Sequence, residues 1–137
     1  ASLSGFDEAL VLTQEGHVSE GSAENIFMVR EGVLITPPVT ENILEGITRR
    51  TVMELAQKEL GLTVVERPID RTEVYLCDEF ILTGTAAQIT AATQVDHRKI
   101  GSGEMGPIAS RLRELFSDLV RGRLPAYRAW NTPIYPK

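Results

Sequence analysis

Apolar residues in this chain fall into short runs in its first third and recur at helical spacing in two longer stretches. The run Ala9-Leu10-Val11-Leu12-Thr13, bounded by acids and by Glu15-Gly16, predicts a buried strand over 9–13. Glu15-Gly16-His17 reads as a turn, with an extended piece starting at Val18-Ser19-Glu20. Asn25 to Arg30 and Val33 to Thr36 flank Glu31-Gly32, a hairpin signal because glycine supplies the positive φ of a tight turn. Pro37-Pro38 then stops the ladder. From Thr48 to Leu60 the spacing of Val52, Leu55, Ala56 and Leu60 predicts a helix, with Gly61 as its stop. A strand is expected over 62–67. Asp70 is placed to cap a short helix from Arg71 to Leu76, with Glu73 as its capping-box partner. Glu79 to Thr83 reads as a strand running into Gly84-Thr85, and Ile89 to Val95 as another, turning at 96–99. Gly106-Pro107 opens a last helix whose apolar face is Ile108, Leu112, Leu115, Phe116, Leu119 and Val120, ended by Gly122. One more turn at Tyr127 to Trp130 precedes an extended tail. Strands and helices alternate irregularly, so the expected fold is mixed α/β, a mixed sheet with flanking helices.

Composition narrows the classes. A chain of 137 residues, 42% hydrophobic and 24% charged, has the profile of one soluble globular domain rather than of a disordered segment. A net charge of -5 gives no reason to expect a nucleic-acid partner. The arginines Arg111, Arg113, Arg121, Arg123 and Arg128 are mixed with acids and read as a solvated face. No apolar run approaches the ~20 residues of a membrane span, so no membrane role is expected. Cys77 is the only cysteine, which favours a reducing, cytoplasmic setting and reads as a small buried thiol rather than a nucleophile. No His/Cys cluster has metal-ligand spacing. The sequence opens without methionine a few residues before a core strand, as a fragment or trimmed chain would.

Two stretches carry the elements of an anion site: backbone N–H groups, a hydroxyl and a glycine for close approach. They are Gly46-Ile47-Thr48 before a helix and Gly84-Thr85-Ala86-Ala87 after a strand. Taken singly, Thr48 is equally a plain N-cap and Gly84-Thr85 a plain strand end; as a pair they point to one anion without identifying it. Gly101-Ser102-Gly103-Glu104-Met105-Gly106 matches a dinucleotide-loop pattern, but it does not follow the first strand of a βαβ unit. An acid also lies inside it, so it reads as a flexible turn. Glu20 and Glu24 are two acids in a turn-like run, and composition alone does not make them an acid/base pair.

The runs Ser19-Glu20-Gly21-Ser22-Ala23-Glu24-Asn25-Ile26-Phe27, Leu44-Glu45-Gly46-Ile47-Thr48-Arg49 and Gly84-Thr85-Ala86-Ala87 occur in an order that resembles the fold-type IV, or class IV, aminotransferases. The similarity is greatest to the bacterial branched-chain amino acid aminotransferases. Glu66-Arg67-Pro68-Ile69, Tyr75-Leu76-Cys77-Asp78-Glu79 and Gly106-Pro107-Ile108 extend it, from about Gly5 to Trp130. The resemblance implies the C-terminal large domain of a pyridoxal-phosphate (PLP) enzyme, a mixed-sheet pseudo-barrel spanning 1–137. It implies a cofactor site of Glu20 at the pyridine nitrogen, Leu44 on the ring, Gly46, Ile47 and Thr48 at the phosphate, and Thr85 as a second hydroxyl donor. Thr85, Ala86 and Ala87 would receive the substrate carboxylate. The Schiff-base lysine is expected upstream of residue 1, since Lys58 falls mid-helix, Lys99 in a turn, and Lys137 is the only other lysine. The implied partners are amino acid and 2-oxo acid substrates, the chain's own N-terminal domain and a second copy. This stretch alone is expected to bind PLP weakly and not to transaminate. D-amino acid aminotransferase, aminodeoxychorismate lyase, and a non-catalytic ligand-binding or dimerisation domain are the alternatives. Ala23, Cys77, Gln88 and His97 depart from the family's usual residues without removing an implied contact.

Overall fold

The computed structural model describes residues 1–135; Lys137 and the last part of the expected tail lie outside the described residues. Among the described residues, nine strands and two α-helices follow one another: β1 (Leu10–Leu12), β2 (Val18–Gly21), β3 (Asn25–Arg30), β4 (Val33–Thr36), α1 (Ile47–Leu60), β5 (Val64–Glu66), β6 (Glu79–Gly84), β7 (Gln88–Ala91), β8 (Gln94–Val95), β9 (Arg98–Lys99) and α2 (Pro107–Val120). Five strands form one sheet in the order β5-β4-β3-β6-β7. Only β4 and β5 run parallel, with α1 in the crossover between them. The fold is thus mixed α/β, with β3 at the centre of the sheet.

Each side chain in β3 chooses a face by the two-residue period of a strand. Phe27 and Val29 join Leu34, Ile81 and the helices in one core, with Val52 and Leu55 from α1 and Leu112, Leu115 and Leu119 from α2. Ile26 and Met28 join Val18, Ile35, Ile69, Val74 and Phe80 in a second core on the other face. The Glu31-Gly32 turn has φ 51 and 76 at its two residues, the left-handed pair that matches strand twist in a two-residue hairpin. Gly61 ends α1 at φ 62, where Leu62 N–H donates to the Ala56 carbonyl at 3.0 Å.

Some expectations need correction. The 9–13 run forms only Leu10–Leu12 and is not buried: Val11 and Leu12 are 45% and 39% exposed, because β1 pairs with β2 alone. The strand expected over 62–67 shortens to Val64–Glu66. The 89–95 strand breaks after Ala91, where the chain leaves the sheet. Its continuation, β8, pairs with β9 across Asp96 and His97, both at positive φ. The Asp70 side chain makes no cap on the 3-10 turn Arg71–Leu76. Glu73 instead accepts charge-assisted hydrogen bonds from Arg67 (2.5 and 2.9 Å) and Arg30 (2.9 Å), which outweigh a neutral backbone donor. Val120 of the expected α2 face turns outward, while the five arginines from Arg111 to Arg128 lie exposed as expected.

Hydrogen bonds from Arg67, and secondarily from Arg30, hold the Glu73 carboxyl below the usual glutamate range. A lowered folded value means the stabilisation is complete above the ordinary glutamate value and is lost as pH falls through the lowered one. Glu73→Gln is therefore expected to lower unfolding free energy by about 1–3 kcal/mol at neutral pH, and by progressively less under acid. Urea titrations at a series of pH values check both.

Candidate functional site

The connection from β4 to α1, residues 37–46, is pinned to the sheet at three points. Arg49, buried in the first turn of α1, donates to the Pro37 carbonyl (3.0 Å) and to the Glu66 carboxylate. The Ser19 hydroxyl donates to the Glu41 carbonyl at 2.7 Å, and the His17 ring lies 3.1 Å from the Glu41 carboxylate. The third point is Leu44. Its N–H donates to Glu20 Oε2 at 2.9 Å, and its carbonyl accepts from Asn25 Nδ2 at 2.7 Å. These bonds leave the Leu44 side chain 74% exposed and the Ile47 side chain 86% exposed, an apolar surface next to a carboxylate.

The two long helices begin in different ways. α2 starts at Gly106-Pro107, and the buried Glu79 carboxylate accepts from the N–H groups of Ile108 (3.0 Å) and Ala109 (2.8 Å). An acid thus occupies that N-terminus, and Gly106 is needed because a Cβ there would fall 2.1 Å from Glu79 Cδ. The glycine-patterned run 101–106 is a turn packed against Asp78, Lys99 and Glu79, with the Glu79 carboxylate beside Gly106. α1 starts at Gly46 without any side-chain cap. Its first intrahelical bond joins Arg50 N–H to the Gly46 carbonyl (3.1 Å), so the N–H groups of Ile47, Thr48 and Arg49 have no intrahelical partner. Thr48 is the second helical residue, not the N-cap. The partial positive charge of a helix start is left open here.

Thr85, Ala86 and Ala87 form a hairpin loop between paired Gly84 and Gln88, not the start of a helix. Gln88 closes it at φ 52, and the Thr90 hydroxyl donates to the Ala87 carbonyl at 2.8 Å. Thr85 and Ala86 are exposed and Ala87 half-buried. Gly84 lies against the 20–25 segment: a Cβ on it would sit 3.2 Å from the Ala23 carbonyl oxygen and 3.6 Å from Glu24 Cγ. The 20–25 segment therefore touches both other loops. Ala23 itself does not adopt positive φ.

Glu20 and Glu24 point to different partners. Glu24 accepts from Ala23 N–H (3.1 Å), and burial, opposed by that N–H and reinforced by neighbouring Glu8, raises its pKa. The hydrogen bond from the Ser22 hydroxyl, with the Ala9 N–H, lowers that of Glu8. They do not form an acid/base pair with Glu20. Lys58 pairs with Glu54 in α1, ten residues or about 15 Å along the helix from Thr48. Lys99 lies exposed in β9 against Gly103. Residues missed from the sequence are Asn25 and Arg49. The signal for Asn25 was available: a strand-averse residue opening an apolar strand.

The family model of the class IV amino-transferases matches residues 1–95. The chain belongs to the class IV aminotransferases. It is 52% identical, over its whole length, to a probable branched-chain-amino-acid aminotransferase of Aquifex aeolicus, covering 44% of that protein. It is 49% identical over 130 residues to the branched-chain-amino-acid aminotransferase of Pseudomonas aeruginosa, covering 42% of it. The structure superposes on the PLP-form branched-chain amino acid aminotransferase of Thermobaculum terrenum with a TM-score of 0.96 and 48% identity, covering 99% of this chain and 44% of that one. The branched-chain aminotransferase of the archaeon Thermoproteus uzoniensis, solved with norvaline, gives 0.93 and 46%, covering 98% and 44%. The chain thus spans less than half the length of the relatives it matches. Its mixed α/β fold is that of the class IV branched-chain structures.

Cys77 takes no part in this site. Its thiol is 4% exposed, donates to the Val74 carbonyl, and burial pushes it up to about 12. A protonated, covered thiol is inert. Iodoacetamide at pH 8 is expected to leave Cys77 unmodified in the folded protein and to alkylate it in urea, as intact mass shows.

Proposed function

We propose that residues 1–137 are the C-terminal, cofactor-binding domain of a PLP-dependent branched-chain aminotransferase. The complete protein would move an amino group between leucine, isoleucine or valine and 2-oxoglutarate. One observation carries this reading: Leu44, exposed and fixed by its own backbone, lies between an anionic carboxylate and an uncapped helix start. Leu44 and Thr48 are four positions apart, so their Cα atoms lie within about 14 Å of each other. A flat ring with a cationic nitrogen at one end and a phosphate at the other suits that polarity.

In this reading Glu20 faces the pyridine nitrogen, oriented by the Leu44 N–H. A carboxylate there holds the nitrogen protonated by the opposite-charge rule. Leu44 packs against the ring. Ile47 and Thr48, the first residues of α1 after Gly46, give backbone N–H groups and a hydroxyl to the phosphate, and Thr85 gives a second hydroxyl. The N–H groups of the 85–87 loop receive the substrate carboxylate. When bound, PLP supplies an electron sink for the pair left as the substrate Cα–H proton is removed. We assign the base that moves this proton to a lysine upstream of residue 1, in keeping with the remote positions of Lys58 and Lys99. An N-terminal domain that completes the cleft, and a second copy, are the proposed partners. The exposed Val11, Leu12 and Leu76 support further burial of this surface. A single buried thiol supports a reducing, cytoplasmic setting. No described helix is long and apolar enough to cross a membrane.

The full-length protein is expected to develop a visible PLP band that shifts on adding L-leucine, L-isoleucine or L-valine and returns with 2-oxoglutarate. A shift with D-alanine alone, or pyruvate release from aminodeoxychorismate, would assign the scaffold to one of its sister reactions. Absence of any band would reject the cofactor. Glu20→Gln should depress the pyridine nitrogen pKa by roughly 1–3 units. Amino transfer should then slow by about tenfold or more at pH 8, the kinetic counterpart of one such unit.

A further inference from the structure

Asn25 opens β3 at the centre of the sheet, 6% exposed, opposite Thr83 of β6. Its carbonyl accepts from the Thr83 hydroxyl at 3.5 Å, and its side-chain amide leaves the strand to grip the neighbouring connection. Asn25 Nδ2 donates to the Leu44 carbonyl (2.7 Å), while the Leu44 N–H donates to Glu20 (2.9 Å). The peptide groups on both sides of the Leu44 Cα are therefore anchored, one by each residue. A third bond, Gly46 N–H to the Leu44 carbonyl at 2.9 Å, carries that anchorage to the residue at which α1 begins.

Asn25 Oδ1 makes a further contact. A Cβ on Gly46 would fall 2.2 Å from it and 3.4 Å from Asn25 Cγ. Gly46 has φ -65 and ψ 139, which any residue adopts, so its glycine is required by space and not by backbone conformation. The neighbour that denies the space is Asn25, a protein atom already in place. This revises the reading of Gly46 as a glycine kept for the approach of a phosphate.

We propose that Asn25 is a positioning residue that seats Leu44 over the cofactor ring and sets the α1 start at a fixed reach from Glu20, with Gly46 a glycine because Asn25 packs against it. The proposal rests on the PLP assignment above. Three features separate this amide from an ordinary strand residue. It is a buried polar group in a strand whose next four residues are all apolar and buried. Its donor bond goes to the connection that carries Leu44 and Gly46 and leads into Thr48 of α1, not to the sheet. It also joins all three loops, since its own strand pairs with the one that ends at Gly84-Thr85.

The test uses the full-length protein in its cofactor-free form, titrated with PLP and followed by visible absorbance and by the circular dichroism of the bound cofactor. Asn25→Ala is expected to weaken PLP binding about tenfold, the worth of one buried hydrogen bond, and to diminish the dichroic band. Gly46→Ala is expected to do the same by displacing the amide. The double variant Asn25→Ala/Gly46→Ala should bind as Asn25→Ala does, because the obstructing atoms are gone. If Asn25→Ala does not fold, Asn25→Asp keeps the shape and the contact with Gly46 but opposes an oxygen to the Leu44 carbonyl. The same loss of affinity and dichroism is expected from it. Wild-type protein that binds PLP, with Asn25 variants of unchanged affinity and dichroism, overturns the clamp alone. A Gly46→Ala penalty that persists in full beside Asn25→Ala also overturns it and returns Gly46 to the phosphate. Wild-type protein that shows no band with PLP overturns the cofactor assignment and the clamp with it.

Discussion

β3 is buried on both faces, and the five-stranded sheet is built outward from it on either side. Ile26, Phe27, Met28 and Val29 are all apolar, so the strand cannot set its own register by alternation: a slip of one residue would exchange one apolar face for another. The register is fixed at the two ends. At one, the Glu31-Gly32 turn allows only Arg30 to meet Val33. At the other, Asn25 must stay where its amide reaches Leu44. The residue that ties down the candidate site is thus also one that settles the pairing of the sheet, and the requirements of fold and site coincide there.

The two helix starts are finished in different ways. α2 has its first N–H groups answered by Glu79, an acid from the neighbouring strand, and nothing about that end invites a ligand. α1 has no such acid. Its first turn instead holds Arg49, whose guanidinium turns inward to Pro37 and Glu66. The arginine secures the end from beneath while its N–H groups stay open. A helix start becomes available to an anion when the chain withholds the internal carboxylate, and the same protein illustrates both choices.

The central hairpin, both long helices and the mixed sheet were legible in the sequence because each rests on a local signal: a glycine turn, a 3.6-residue period, a proline or glycine stop. The failures share a cause. β1 read as buried because its side chains are apolar, yet burial depends on which strand lies beside it, and only β2 does. Glu73 read as a capping residue because Asp70 stands three positions before it. Arg67, six residues before it, and Arg30, 43 residues away in sequence, claim the carboxylate instead. The loop at 84–87 and the one at 46–48 looked alike in composition, but one is a hairpin and the other a helix start. The carboxylate at Glu20 was found through family pattern. Asn25, which holds the other side of Leu44, shows in the sequence only as a strand-averse residue opening an apolar strand, because an amide that bonds across 19 residues leaves no periodic trace.

The pairing of Asn25 with Thr83 closes a span of 58 residues, whereas Glu20 and Leu44 are 24 apart. Loop-closure entropy rises with that span, and long-range strand pairing is the slow part of assembling a sheet. The two halves of the candidate site therefore differ in the span of chain that must close to form them. The Thr85 loop takes its place only where β6 is paired with β3. A ligand that needs both halves therefore reads the completeness of the sheet, because it meets them together only in molecules whose longest-range pairing is made.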